Sequence, residues 1–204
     1  MEIDPNRAGL NNLPPRDLTR LALPLVIVFC GLMIFLLGWA LLANRYGWTG
    51  FSSSLLGLTM LGAGTVLLMV RVKALTLRLA MILPLLAVAS CTALLVLLYF
   101  KVREPNDTLI LGELGLWLAA FASFSMGMLW FVKEAGMRKV VNAWNASLGS
   151  VPLVVLVFWL EAGTAPPMLG FLALIVMLCL FCIALLRTAR VLREADQQLK
   201  EGKA

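Results

Sequence analysis

Residues Leu21–Ala43 read LALPLVIVFCGLMIFLLGWALLA, a run of 23 residues without a charged side chain. A transmembrane helix needs about 20 mainly apolar residues, because the hydrocarbon layer is about 30 Å thick and each helical residue rises about 1.5 Å. Over the whole chain, 61% of residues are hydrophobic and only 14% are charged, whereas soluble domains carry about 25% charged residues. The stretch is therefore interpreted as a membrane span rather than as the core of a soluble domain.

Five further stretches have similar length and composition, which gives six predicted transmembrane helices. The six are Leu21–Ala43, Phe51–Val70, Leu79–Phe100, Leu109–Val132, Val140–Ala162 and Met168–Leu186. Their apolar runs are continuous rather than alternating, which favours an all-α protein. The fifth span contains Pro152, so it is either a full-length helix kinked there or a shorter, re-entrant segment that starts near Leu148. We favour the full-length helix.

Lysine and arginine divide unevenly between the two ends of these spans. If the N-terminus lies inside, all of the 17 basic residues except Arg45, Lys101 and Arg103 fall in inner segments. The positive-inside rule then predicts three helical hairpins with both termini in the cytoplasm. The chain divides into a tail (1–20), a six-helix bundle (21–186) and an amphipathic helical tail (187–204). Because topology accounts for the basic excess, nucleic acid is not a predicted partner.

Small residues recur along one face of the fourth span. The ridge consists of Gly115, Ala119, Ser123 and Gly127. A looser set in the second span consists of Gly57, Gly62 and Gly64. Small side chains let helices approach closely, which is how helices associate in lipid. Two interpretations stay open: contact with a second copy or a partner protein, or packing within the six-helix bundle.

Ionisable groups are almost absent from the spans, which argues against a transporter with a charged relay at the membrane centre. Glu113 lies four residues into the fourth span, and Glu161 ends the fifth span at the same, outer face. They are interfacial carboxylates or, if they face each other, a candidate site for a cation or proton. Neutral groups that can line a pore are Thr59, Thr65, Ser123, Ser125, Asn142 and Asn145. The two asparagines alternatively hydrogen-bond across helices or lie at headgroup level, together with Trp144.

The sequence contains few of the residues and motifs that enzymes use. It contains no histidine, which excludes His-ligated metals, His general bases and the Ser–His–Asp arrangement. Cys179 and Cys182 have the spacing of a redox or metal pair, but they fall inside a span, so we expect them to pack as small apolar residues. Phosphate-binding and nucleophile motifs are also absent. We therefore predict a protein without catalytic function, metal or cofactor.

The segment Leu55–Gly64 reads LLGLTMLGAG, and Pro105 and Pro166–Pro167 lie in the later outer turns. In these features, and in its three hairpins over residues 21–187, the chain resembles the HdeD-type acid-resistance membrane proteins of bacteria. The first outer turn, Asn44–Gly50, lacks the proline that this family often has there. The resemblance implies a stress-associated role in the inner membrane and no particular reaction.

Two functions are compatible with these observations. The first is a structural or accessory subunit in the lipid bilayer, packed through the small-residue ridge against another copy or a membrane-protein partner. In the C-terminal tail, Leu192, Ala195 and Leu199 share a helical face, which docks a partner, lies on headgroups or frays in solvent. The alternative is a small channel or transporter for a neutral or weakly polar solute.

Overall fold

The computed structural model describes residues 16–44, 46–72, 75–100, 107–160 and 168–200, and these form seven α-helices. They are α1 (Arg16–Ala43), α2 (Gly47–Arg71), α3 (Leu75–Ala80), α4 (Ile82–Tyr99), α5 (Asp107–Glu134), α6 (Arg138–Leu160) and α7 (Met168–Lys200). With α3 and α4 taken together, six helical segments are long and apolar enough to cross a membrane. The predictions of an all-α class and of six such helices are confirmed.

The third span is divided into two pieces at Met81, which separates α3 from α4. Pro84 lacks the backbone N–H that would bond to the carbonyl of Ala80, four residues earlier. Ser123 of α5 donates a hydrogen bond from its hydroxyl to this carbonyl oxygen, at 2.8 Å. A side chain from the neighbouring helix thus satisfies the backbone group that the proline leaves free, as a membrane interior requires.

The fifth span forms its full length. α6 is continuous from Arg138 to Leu160 and includes Pro152, so a short segment starting near Leu148 is not formed.

α7 is longer than its predicted span. Its 33 residues measure about 50 Å at 1.5 Å per residue, which exceeds a hydrocarbon layer of about 30 Å.

Contacts between neighbouring helices close a ring. α1 contacts α2, α2 contacts α4, α4 contacts α5, α5 contacts α6, α6 contacts α7, and α7 contacts α1, while the short α3 packs mainly on α5. Side chains from α2, α5, α6 and α7 are wholly buried inside this ring, among them Leu58, Val132, Trp144 and Leu185. Large apolar side chains such as Leu37, Val155 and Leu172 are exposed on its outside, as expected of a surface solvated by lipid.

Candidate functional site

The small-residue ridge of α5 has two halves with different surroundings. In its C-terminal half, an added Cβ at Gly127 would lie 2.5 Å from the Cβ of Ala80 and 2.9 Å from the Cδ1 of Leu77. Ser123 makes its hydrogen bond to the same turn of α3. This half of the ridge is therefore covered by α3 of the same chain.

The N-terminal half of the ridge is uncovered. Gly115 and Ala119 are both exposed, and an added Cβ at Gly115 would meet no described atom within 4 Å. The same holds for Gly112, three residues earlier, which is also exposed. Gly112, Gly115 and Ala119 together are called the open face of α5. Gly112 was not singled out from the sequence, although its spacing of three and seven from the other two places it on their face.

The glycines of α2 pack against α1. An added Cβ at Gly57 would overlap the backbone nitrogen of Phe35, and one at Gly64 would lie 2.7 Å from the Cγ2 of Val28. Gly62 differs from them, because its added Cβ would make only an ordinary contact, at 3.5 Å from a methyl group of Val88.

Three further glycines complete the α1–α2 contact and were missed in the sequence. An added Cβ at Gly31 would lie 2.7 Å from the backbone nitrogen of Leu61, and one at Gly50 would lie 2.6 Å from that of Leu42. At Gly38 it would overlap the backbone of Ser54. The signal was available, because the contact glycines recur every seven residues in both helices: Gly31 and Gly38 in α1, and Gly50, Gly57 and Gly64 in α2.

Aromatic rings occupy the centre of the helix ring. Phe35 stacks on Trp117 with 5.7 Å between ring centroids, and Phe181 makes edge contacts with Phe121 and Phe124 at 4.8 and 5.3 Å. All of these rings except Phe35 line a cavity of about 30 Å³ whose lining is almost wholly apolar. Thr65 supplies its one hydroxyl, which already donates to the carbonyl of Leu61 at 2.7 Å.

The side chains proposed to line a pore do not meet in one place. Thr59 is exposed and donates to a carbonyl of its own helix at 2.8 Å. Ser125 is buried in the α5–α6 contact, 3.1 Å from the hydroxyl of Ser147. Asn142 and Asn145 are both exposed on the outside of α6. Of the residues predicted to line a pore, only Thr65 borders the central cavity.

Glu113 lies in the contact between α5 and α4. Its Oε2 accepts a hydrogen bond from the hydroxyl of Ser90 at 2.7 Å. Its Oε1 is buried and has no hydrogen-bond partner within the described ranges. Ser90 is three residues, about 4.5 Å along the helix, from Ala87, the middle of the span Leu75–Tyr99. The carboxyl group therefore reaches a deeper level than its position along α5 suggests, while Glu161 lies outside the described residues.

The cysteines remain reduced thiols in the structure. All four are free, with Cys179 exposed and Cys182 half-buried on α7. Among the described residues, no group of three or more histidine, cysteine or acidic side chains is placed to hold a metal ion.

The apolar face of the C-terminal tail packs on its own bundle. Leu192 is 1% exposed and Ala195 is 6% exposed, and Leu192 belongs to the main hydrophobic core. Just before them, Thr188 accepts a hydrogen bond from the indole nitrogen of Trp144 at 2.9 Å. The side chain of Leu199 lies outside the described residues.

These contacts define three features with functional potential: the α1–α2 glycine contact, the open face of α5 and the Glu113–Ser90 pair. The α1–α2 glycine contact is complete within the chain. The open face of α5 is not covered by any described residue, and one carboxyl oxygen of Glu113 has no described hydrogen-bond partner. No protein-family model, no curated protein and no solved structure matches this chain.

Proposed function

We propose that the chain is a non-catalytic, multi-pass membrane protein that assembles with a second copy or another membrane protein through the open face of α5. One contrast carries the proposal. The glycines at positions 31, 38, 50, 57, 64 and 127 are each closely covered by a neighbouring helix or its side chains, whereas Gly112 and Gly115, two glycines on one face of α5, have no described neighbour. Gly149 of α6 is uncovered too, but it is a single glycine.

Energetic considerations support the same proposal. Glycine in a helix interior costs about 1 kcal/mol relative to alanine, and the exposed positions of this bundle are otherwise rich in large apolar side chains. If Gly112, Gly115 and Ala119 faced lipid, the two glycines would lower the helix propensity, and all three side chains would make fewer contacts with lipid than larger apolar ones. Coverage by another helix compensates for both, because small residues permit close backbone approach and dispersion contacts.

The membrane orientation is part of the proposal. We infer that both termini face the cytoplasm, because the links 72–74 and 135–137 and the end of α7 carry or adjoin most of the basic residues. The resemblance to HdeD-type proteins adds to the proposal a stress-associated role in a bacterial inner membrane.

Substitution of leucine for Ala119 tests the assembly. The larger side chain blocks close approach, so we expect Ala119→Leu to weaken association at least tenfold, or about 1.4 kcal/mol. Complex mass and stoichiometric companions are measured by native mass spectrometry after gentle extraction. The matched control is Ala63→Leu, at an exposed alanine of α2, which we expect to leave the complex unchanged. A monomeric wild-type protein without companions, or a complex of equal mass and strength in the Ala119 variant, contradicts the proposal.

The alternative function, a channel or transporter for a neutral solute, requires a polar path. In this structure aromatic rings fill the centre, and the polar candidates are dispersed. We therefore expect proteoliposomes to stay as tight to protons, ions and small neutral solutes as protein-free vesicles. A solute flux that is lost on Thr65→Leu, which fills the central cavity, would instead favour the channel.

A further inference from the structure

The carboxyl group of Glu113 lies in the contact between α4 and α5, within the length of the predicted membrane spans. One carboxyl oxygen is paired with Ser90 of α4, and the other is buried without a partner among the described residues. Buried polar atoms in folded proteins are nearly always hydrogen-bonded, so an unpaired one calls for a ligand or a specific role.

Among the described residues, no positively charged side chain is paired with this carboxyl group. The charged residues of α1, α2, α4 and α6 lie only at one end of the bundle: Arg16, Asp17, Arg20, Arg71, Arg138 and Lys139. That is the end where α5 finishes, and Glu113 lies near the beginning of α5. The titratable neighbour is Cys91 of α4, a thiol that carries no positive charge. An ionised carboxylate without a counter-ion is unfavourable in such apolar surroundings.

We propose that Glu113, together with Ser90, forms a proton-binding site inside the membrane. A proton fits this pair better than a metal cation does. An ionised carboxylate only accepts hydrogen bonds, whereas a carboxylic acid both donates and accepts. One proton therefore removes the uncompensated charge and retains the hydrogen bond to Ser90. A metal ion needs several oxygen ligands, and the pair supplies only three oxygens. The proposal does not depend on assembly through the open face.

Occupancy of this site is coupled to the packing of α4 against α5. With the proton bound, a neutral carboxylic acid and a hydroxyl bridge the two helices in an apolar contact. Loss of the proton leaves a carboxylate that recruits water or a cation into that contact. The spacing of α4 and α5 thereby depends on whether the site holds a proton.

A lipid-soluble carbodiimide tests the site, because the carbodiimide adds to a protonated carboxyl and leaves a stable adduct of one reagent mass. We expect dicyclohexylcarbodiimide to modify Glu113 in membranes at neutral pH. A water-soluble carbodiimide should instead reach exposed Glu134 and Glu194. Peptide mass spectrometry locates the adducts. Glu113→Gln, which retains the shape and the hydrogen bond to Ser90, should abolish the lipid-soluble adduct without changing complex mass.

Labelling of Glu113 by the water-soluble reagent alone would overturn the proposal, because it identifies a carboxyl group that is reached from water and not from the membrane interior. If neither reagent reaches the residue, infrared spectroscopy decides. A carbonyl band of a protonated carboxyl that disappears in Glu113→Gln supports the site, and the absence of that band at neutral pH overturns it.

Discussion

Replacing Gly57 by alanine is expected to destabilise the protein by about 2–3 kcal/mol, whereas the same change at Gly62 is expected to be neutral or slightly stabilising. Both glycines lie in α2, five residues apart, and both changes add one methyl group. They differ in what the methyl group meets. At Gly57 it overlaps the backbone of Phe35, and at Gly62 it touches one methyl group of Val88 at 3.5 Å.

The difference in expected effect follows from the difference between backbone and side chain. A valine side chain yields by a small rotation, but the backbone of α1 cannot move at residue 35 alone. Separation of the two helices there also loosens the contacts at Gly31, Gly38, Gly50 and Gly64, because all five glycines belong to one contact. At Gly62 no such loss occurs, and alanine has the higher helix propensity.

The free energy of unfolding is measured for both variants in mixed micelles, where unfolding is reversible, or by steric trapping in a bilayer. Gly62→Ala is the matched control, since it has the same chemistry in the same helix. Equal destabilisation by the two substitutions would contradict the close α1–α2 contact. Lower stability of Gly57→Ala alone supports it.

The six helices were predictable from the sequence because span length and hydropathy are properties of each segment alone. Each segment that crosses the lipid must be long and apolar enough by itself. The charge-free run Leu21–Ala43 can therefore be recognised without knowing which helices it contacts. The same local rules favoured a full-length fifth span through Pro152, and the structure forms that helix.

Contacts between helices were harder to predict, because they depend on the register of one helix against another. The ridge of α5 is uniform in sequence, yet α3 covers Gly127 and leaves Gly115 open. Likewise, counting residues along α5 places Glu113 near its N-terminal end, and only the register with α4 brings it to Ser90. The α1–α2 contact is the exception, because the seven-residue spacing of its glycines can be recognised in the sequence.

Replacing Trp144 by alanine is expected to cost about 3–5 kcal/mol, the largest effect of any single substitution considered. The tryptophan side chain is 0% exposed and its rings lie 6.0 Å from Phe124 and 5.8 Å from Phe181. The indole is thus enclosed by α5, α6 and α7 rather than exposed on the outside of the bundle. Removal of the indole leaves a cavity between α5, α6 and α7 that these rigid rings cannot refill.

The control for this substitution is Trp159→Ala, at the opposite end of the same helix. Trp159 is 72% exposed, so its loss leaves no cavity, and we expect a change within about 0.5 kcal/mol. Similar losses of unfolding free energy in the two variants would contradict the burial of Trp144.

The polar contribution is separated with Thr188→Val, which keeps the shape but removes the acceptor of the indole N–H. A buried donor left unpaired costs about 1–3 kcal/mol. The variant also loses the bond from Thr188 to the carbonyl of Ala184, a bond that Trp144→Phe leaves intact. If the indole–hydroxyl bond holds α7 to α6, the double variant Trp144→Phe with Thr188→Val loses less stability than the sum of its parts. Additive losses would show that α7 is held by packing alone.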